Sequence, residues 1–298
     1  MSRSPLVYVA GKTIAASDAA VSIRDAALLH GLGVFETLRT YSASEASAKE
    51  AGGRPFRLRA HLARLRAGAA FLGFRVVEPD DRIAEIVAEL VEANAAPDAR
   101  VRITATGGHA DVAAPSRPTA ATLIVTAEPL APYASDLYER GAAAVLSTIR
   151  VSEADPTLRH KTTSRARHVL ALRGARAAGA LEAIFLNSAG RVAEGTVSNI
   201  FVVEGGGLAT PPPEEGLLPG IARATVLELA EGLAIAAAER PITIEELRGA
   251  DEVFLTNSIM EVMPVTRLEG QAVGAGKPGP VTRRLAAAYK DLVAREIL

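Results

Sequence analysis

The chain has 298 residues, of which 49% are hydrophobic and 22% charged, and its formal net charge is −1. That length accommodates one large or two ordinary domains around a sizeable core, and the charge balance leaves no electrostatic footprint for nucleic acid or an anionic membrane. With no cysteine in the chain, disulfides, thiolate nucleophiles and cysteine-ligated metals are excluded. The apolar runs are too short to span a bilayer and no apolar leader follows Met1-Ser-Arg-Ser-Pro5, so a cytoplasmic location is expected.

The first part reads as strands with a few helices. Leu6 to Ile14 forms a hairpin around Gly11, and Val34 to Tyr41, rich in β-branched and aromatic residues, forms a second strand. Ser42 to Gly53 reads as a surface loop or hairpin extension. From Arg57 to Phe74, Leu58, Leu62, Leu65, Ala69 and Leu72 recur at spacings of three and four, one face of an amphipathic helix. Asp80 and Asp81 are expected to cap the next helix, which runs to about Ala95. Strands at Val101–Thr106 and Ala121–Thr126 then bracket a loop, Gly107 to Pro118.

Two prolines in Glu128-Pro-Leu-Ala-Pro-Tyr133 mark an interdomain linker, 129–135. A small N-terminal α+β domain, 1–128, precedes it, and a large C-terminal domain, 136–298, follows. In the second domain the pattern predicts strands near Ala142–Ile149, Ala183–Asn187, Ile200–Val203 and Glu252–Thr256. Helices are expected up to Gly179 from Thr163, over Ile221–Gly232, and from Val281 onward. The mixture of hairpins and helices makes an α+β protein, in which a cleft between domains is the default ligand position.

Five segments carry candidate chemistry. Only five of the 33 basic residues are lysines, so a lysine in a basic segment invites a role in amine chemistry that arginine cannot fill. Lys161, in Leu158-Arg-His-Lys-Thr-Thr-Ser-Arg165, is either such an amine, made nucleophilic by Arg159, His160 and Arg165, or part of a solvated basic turn. Glu194, in Arg191-Val-Ala-Glu-Gly-Thr-Val-Ser-Asn-Ile-Phe201, either holds a heterocyclic nitrogen protonated or belongs to a polar turn. Leu218-Pro-Gly-Ile-Ala-Arg223 is an anion site at a helix N-terminus or a simple helix start. Leu255-Thr-Asn-Ser-Ile-Met260 completes a phosphate cup or caps an element, and Arg64 in His61-Leu-Ala-Arg-Leu65 lies off the apolar stripe, within reach of a phosphate.

In their order and spacing these segments, together with Ser22-Ile-Arg-Asp25, His30-Gly-Leu-Gly-Val-Phe-Glu-Thr-Leu-Arg39 and Gly276-Lys-Pro-Gly-Pro-Val-Thr282, make a chain that resembles the class IV (fold type IV) pyridoxal-phosphate enzymes. That group includes branched-chain and D-amino-acid aminotransferases, (R)-amine transaminases and 4-amino-4-deoxychorismate lyase. The resemblance implies a two-domain α+β fold and a pyridoxal 5′-phosphate cofactor. It implies that Lys161 forms the Schiff base and shuttles the proton, that Glu194 faces the pyridine nitrogen, and that Leu218 packs on the ring. Arg64, the backbone at Ile221 and Ala222, and the Ser258 hydroxyl would form the phosphate cup. His30, Phe35, Thr37 and Arg39 fall on the segment that lines the substrate pocket.

Two positions depart from the pattern: Ala222 stands where a threonine is frequent, and Arg165 where branched-chain enzymes present a tyrosine to the cofactor's phenolic oxygen. The loop Thr106-Gly-Gly-His-Ala-Asp111 has neither the Arg-Gly-Tyr of bacterial lyases nor the Arg-x-His of D-amino-acid enzymes. His109 is a substrate carboxylate contact or a solvated loop residue; His168 reads as a surface residue, and His160 is open. The expected activity is transamination between a branched-chain-like or other small or medium amino acid and a 2-oxo acid, by a homodimer. Release of pyruvate by an aminodeoxychorismate lyase, giving 4-aminobenzoate, is the alternative, and a non-catalytic binding protein the remote one.

Overall fold

The computed structural model describes residues 4–42, 53–109 and 119–297, and the chain divides into two compact units. The loops expected at 42–53 and 107–118 fall mostly on residues 43–52 and 110–118, outside the described residues. The first unit holds residues up to Ala131 together with His160–Ser164 and Arg295–Leu298; the second holds Pro132–Arg159 and Arg165–Ala294.

The first unit contains β1 (Leu6–Val9), β2 (Lys12–Ala15), α1 (Ala26–His30), β3 (Gly33–Tyr41), β4 (Arg54–Pro55), α2 (Leu58–Phe71), β5 (Phe74–Arg75), α3 (Asp80–Ala93), β6 (Ala99–Thr106), β7 (Thr119–Ala120) and β8 (Thr122–Pro129). Six of these strands form an antiparallel sheet in the order β2-β1-β8-β6-β3-β4. Strand alternation puts Val34, Glu36, Leu38 and Thr40 on the buried face of β3 and Phe35, Thr37 and Arg39 on the other. Leu62, Leu65 and Ala69 of α2 and Ile83, Ile86, Val87 and Leu90 of α3 share one core with Leu38, Val101, Ile103, Leu123 and Val125.

Local chemistry explains where the elements differ from expectation. Helix α2 stops at Phe71 because Gly73 turns left-handed, at φ +83°. Asp80 and Asp81 are not caps: Pro79 occupies that position, and Asp80 accepts from Arg66 Nε at 2.8 Å instead. Glu128 and Pro129 end strand β8, with Pro129 opposite Ala99. The short α1 was not anticipated, although Asp25, which accepts from the Ala27 N–H at 2.8 Å, and left-handed Gly31 bracket it.

The second unit contains α4 (Ser135–Arg140), β9 (Ala142–Leu146), α5 (Ala166–Ala177), β10 (Glu182–Leu186), β11 (Val192–Gly195), β12 (Asn199–Glu204), β13 (Gly207–Thr210), α6 (Ile221–Gly232), β14 (Ala237–Glu239), α7 (Ile244–Gly249), β15 (Glu252–Asn257), β16 (Glu261–Leu268), β17 (Gln271–Ala272) and all but the last two residues of α8 (Pro280–Glu296). Its sheet runs β11-β10-β9-β16-β15-β12-β13-β14, with β17 on β16. Pairings of β9 with β10 and with β16 are parallel, whereas β16, β15, β12 and β13 pair antiparallel in succession. Ile184, Ile200, Leu255, Met263 and Val265 lie in its main core.

Candidate active site

In the first unit, the lysine segment lies alongside the start of β3. Phe35 N–H donates to the Lys161 carbonyl at 2.9 Å and Thr163 N–H to the Gly33 carbonyl at 2.8 Å, while Val34 and Thr162 form a bridge. A side chain at Gly33 would put its Cβ 2.9 Å from Thr163 Oγ1, so glycine permits this approach. These bonds place Lys161 Nζ 4.8 Å from the centre of the Phe35 ring, over which the Arg102 guanidinium carbon also lies, at 3.8 Å.

Directly behind, on the buried face of β3, Glu36 is fully enclosed and bonded by two residues of α2. Arg64 donates from Nε to Oε1 and from its NH2 nitrogen to Oε2, each at 2.7 Å, a bidentate pair. His61 Nδ1 donates to Oε2 at 2.7 Å, the ionised carboxylate being an acceptor only. Burial alone pushes the Glu36 carboxyl up; Arg64 and His61 outweigh it and bring it down to about 2. Burial pushes His61 down, Glu36 opposes that, and the charges of Arg64 and Lys161 add to the lowering. Glu36 and His61 were quoted in the sequence motifs without a role; alternation on β3 was the signal that Glu36 points inward and needs partners.

In the second unit, Glu194 is buried on β11. Its Oε2 accepts from Asn199 Nδ2 at 3.2 Å and from the Leu218 N–H at 3.1 Å, and Asn199 also donates to the Leu218 carbonyl at 2.8 Å. The Leu218-Pro-Gly turn is thereby tied to the carboxylate and leads into α6 at Ile221. Gly220 has to be small there, since a Cβ would sit 1.9 Å from Asn199 Oδ1. Ser258 lies in the turn joining β15 to β16, which Asn257 closes by accepting from the N–H groups of Ile259 and Met260 at 2.8 Å each. Arg165 donates to the Thr196 carbonyl at 2.5 Å.

The remaining candidates are placed less uniformly. Thr37 and Arg39 share the outer face of β3 with Phe35, Arg39 lying 4.4 Å from the Tyr41 ring centre. His30 ends α1 and is exposed; exposed His109 is hydrogen-bonded through Nε2 to Ser22 Oγ at 2.9 Å. His160 stacks on Phe71 at 4.1 Å. His168 is buried rather than on the surface, because it shares the inward stripe of α5 with Ala171 and Ala175 and meets Phe185 edge-on at 5.4 Å.

The sequence matches the family model for amino-transferase class IV over residues 33–268. This chain belongs to the class IV aminotransferases. It is 31% identical over 300 residues to the branched-chain-amino-acid aminotransferase of Pseudomonas aeruginosa, across 98% of this chain and 94% of that one. The crystal structure of a branched-chain aminotransferase from the archaeon Thermoproteus uzoniensis with norvaline is similar with a TM-score of 0.88 at 33% identity, over 98% of this chain and 96% of that one. That of the branched-chain amino acid aminotransferase from Thermobaculum terrenum in its PLP form has a TM-score of 0.86 at 27% identity, over 99% and 95%. This class IV aminotransferase therefore has the α+β architecture of fold type IV, and its mixed sheets and helices are those of that fold.

Proposed function

We propose that this class IV aminotransferase uses pyridoxal 5′-phosphate to move an amino group from a branched-chain-like or other small or medium amino acid to a 2-oxo acid. The donor set fits that cofactor. Helix α6 opens at Gly220 without a side-chain cap, and its first bond back is Ala224 N–H to the Gly220 carbonyl, so the N–H groups of Ile221 and Ala222 are available to a phosphate. The buried Thr256 hydroxyl, on the strand before that phosphate-cup turn, has no hydrogen-bond partner among the described residues. When bound, the cofactor supplies an electrophilic carbon for an amine and a ring that takes up electron density from the substrate.

The assignment of roles follows from donor chemistry. Lys161 is the amine that carries the cofactor and then, freed as a neutral base, moves a proton at the substrate Cα. Glu194, fixed by Asn199 and the Leu218 N–H, holds a proton on the ring nitrogen; this buried, doubly restrained carboxylate is the observation that carries the reading. Leu218 packs on the ring, and Arg64, the Ile221 and Ala222 N–H groups and the Ser258 hydroxyl bind phosphate. His30, Phe35, Thr37, Arg39 and His109 contact the substrate, with Arg102, beside Phe35, adding a cation for a carboxylate.

We further place the enzyme in the cytoplasm as a homodimer. Ile23, Leu28 and Leu29, exposed at 80%, 66% and 58%, are large apolar side chains of the kind a second copy covers. No helix of the described residues is long and apolar enough to cross a membrane. A lyase reaction is not proposed, since the relatives above are named for transamination.

The test is the half-reaction. A branched-chain amino donor is expected to bleach the visible band of the cofactor-loaded protein, and a 2-oxo acid to restore it. Lys161→Ala should lower turnover by at least about a thousand-fold. A band that no amino acid alters, with no 2-oxo acid formed, would overturn the proposal.

A further inference from the structure

The turn Gly195 to Ser198, between β11 and β12, is gripped by two oppositely charged side chains. Glu182, fully buried at the start of β10, accepts at Oε1 from the N–H groups of Ala183 and Thr196, each at 3.0 Å, and from the Thr196 hydroxyl. Its Oε2 accepts from Ser198 Oγ at 2.8 Å and from the Val197 N–H at 3.2 Å. The turn closes on itself through Gly195 N–H to the Ser198 carbonyl at 2.7 Å. Glycine is required at 195, where a Cβ would lie 2.3 Å from Ser198 Oγ and 2.9 Å from Glu182 Oε2.

Arg165 takes the other end of the same residue. While Thr196 gives its hydroxyl to Glu182 and shares its N–H between Glu182 and the Ala183 carbonyl, 3.1 Å away, its own carbonyl accepts from Arg165 at 2.5 Å. Burial pushes the Arg165 guanidinium down from its ordinary value, and the carboxylates of Glu194 and Glu182 push it back up, so this cation sits in the field of both. The two flanks of the turn are Glu194 and Asn199, which are hydrogen-bonded to each other at 3.2 Å. Any slackening between them displaces the pair.

We propose that Arg165 and Glu182 are positioning residues for Glu194: together they lock the turn whose flanks are Glu194 and Asn199. In this chain the residue at 165 thus acts through the protein rather than through a phenolic contact. The inference rests on the reading that Glu194 serves the cofactor's ring nitrogen.

Three measurements test it: the pH titration of the visible band of the loaded enzyme, the dissociation constant of pyridoxal phosphate, and amide hydrogen exchange at Val197 without cofactor. Arg165→Met is expected to move the titration midpoint by about one pH unit and weaken cofactor binding about tenfold, whereas Arg165→Lys keeps the cation and restores most of both. Glu182→Gln, which turns an NH2 toward the Val197 N–H, is expected to speed exchange at that amide about ten- to a hundred-fold. Wild-type midpoint and affinity in Arg165→Met, or unchanged exchange in Glu182→Gln, would overturn the proposal. If the wild-type chain takes up no pyridoxal phosphate while the Val197 amide responds to Glu182→Gln as expected, the cofactor reading falls and the role of Glu194 with it. That pattern is distinct from a failed clamp.

Discussion

Glu36 in the first unit and Glu182 in the second are both fully buried, and they are satisfied by opposite means. Glu36 is bonded by a guanidinium and an imidazole, Glu182 by three N–H groups and two hydroxyls. The first arrangement has little backbone geometry to hold, and its partners are side chains of one helix. The second gathers most of a turn around one carboxylate. A buried ion pair is costly when half of it is removed; a cage of neutral donors mainly fixes shape. The contrast predicts that Glu36 matters more for stability and Glu182 more for the placement of Glu194.

The largest effect is expected from Glu36→Gln. It removes the anion that Arg64 and His61 both bond, and should cost about 3–5 kcal/mol in urea unfolding. Replacing both members, Glu36→Leu with Arg64→Met, should recover much of that loss, because two desolvation penalties disappear together. Glu182→Gln should cost less, about 1.5–3 kcal/mol. Equal losses from the two single substitutions would break the comparison.

Acid separates them next. The Glu36 carboxyl falls from an ordinary 4.5 to about 2 in the folded protein. Between those values the unfolded chain binds a proton that the folded chain refuses. The stabilisation is therefore complete above pH 4.5 and lost as the pH falls toward about 2. Unfolding midpoints of the wild type should drop more steeply than those of Glu36→Gln across that window. Parallel curves would show that Arg64 and His61 do not hold the carboxylate ionised.

Much of this was legible in the sequence, and what was not has identifiable causes. The alternation of Val34 to Tyr41 and the three-and-four spacing of Leu58 to Leu72 gave β3 and α2 because each pattern is local. Strand β16 escaped because Pro264 reads as a break. The structure tolerates it because β9 pairs with β16 only from Val265 onward, so no neighbour on that side needs the missing N–H. Helix α7 carries a capping box, Thr243 with Glu246, that is legible in the sequence. Glu194 lies on β11 itself, a strand hidden by the polar Gly-Thr-Val-Ser run that overlaps its end. Apart from the adjacent Ala183 N–H, the donors to Glu182 lie 14 to 16 residues further along, and those to Glu36 lie 25 to 28 residues away. Such polar pairings leave no periodicity for a one-dimensional reading to detect.

A smaller effect sharpens the comparison from the far end of the Glu194 assembly. Gly220 adopts an ordinary backbone conformation, φ −73°, so its role is space rather than flexibility. In Gly220→Ala the new Cβ meets Asn199 Oδ1, 1.9 Å away, and Asn199 must swing off the Glu194 carboxylate and the Leu218 carbonyl. Crowding of that kind costs about 1–3 kcal/mol. Because Glu182 still holds the Gly195–Ser198 turn, the expected result is a modest loss in unfolding free energy with a clear loss of pyridoxal phosphate affinity, read by equilibrium dialysis. A variant that loses stability without losing cofactor would show that Asn199 does not transmit its position to Glu194. Cofactor loss with unchanged stability would place the whole effect at the mouth of α6.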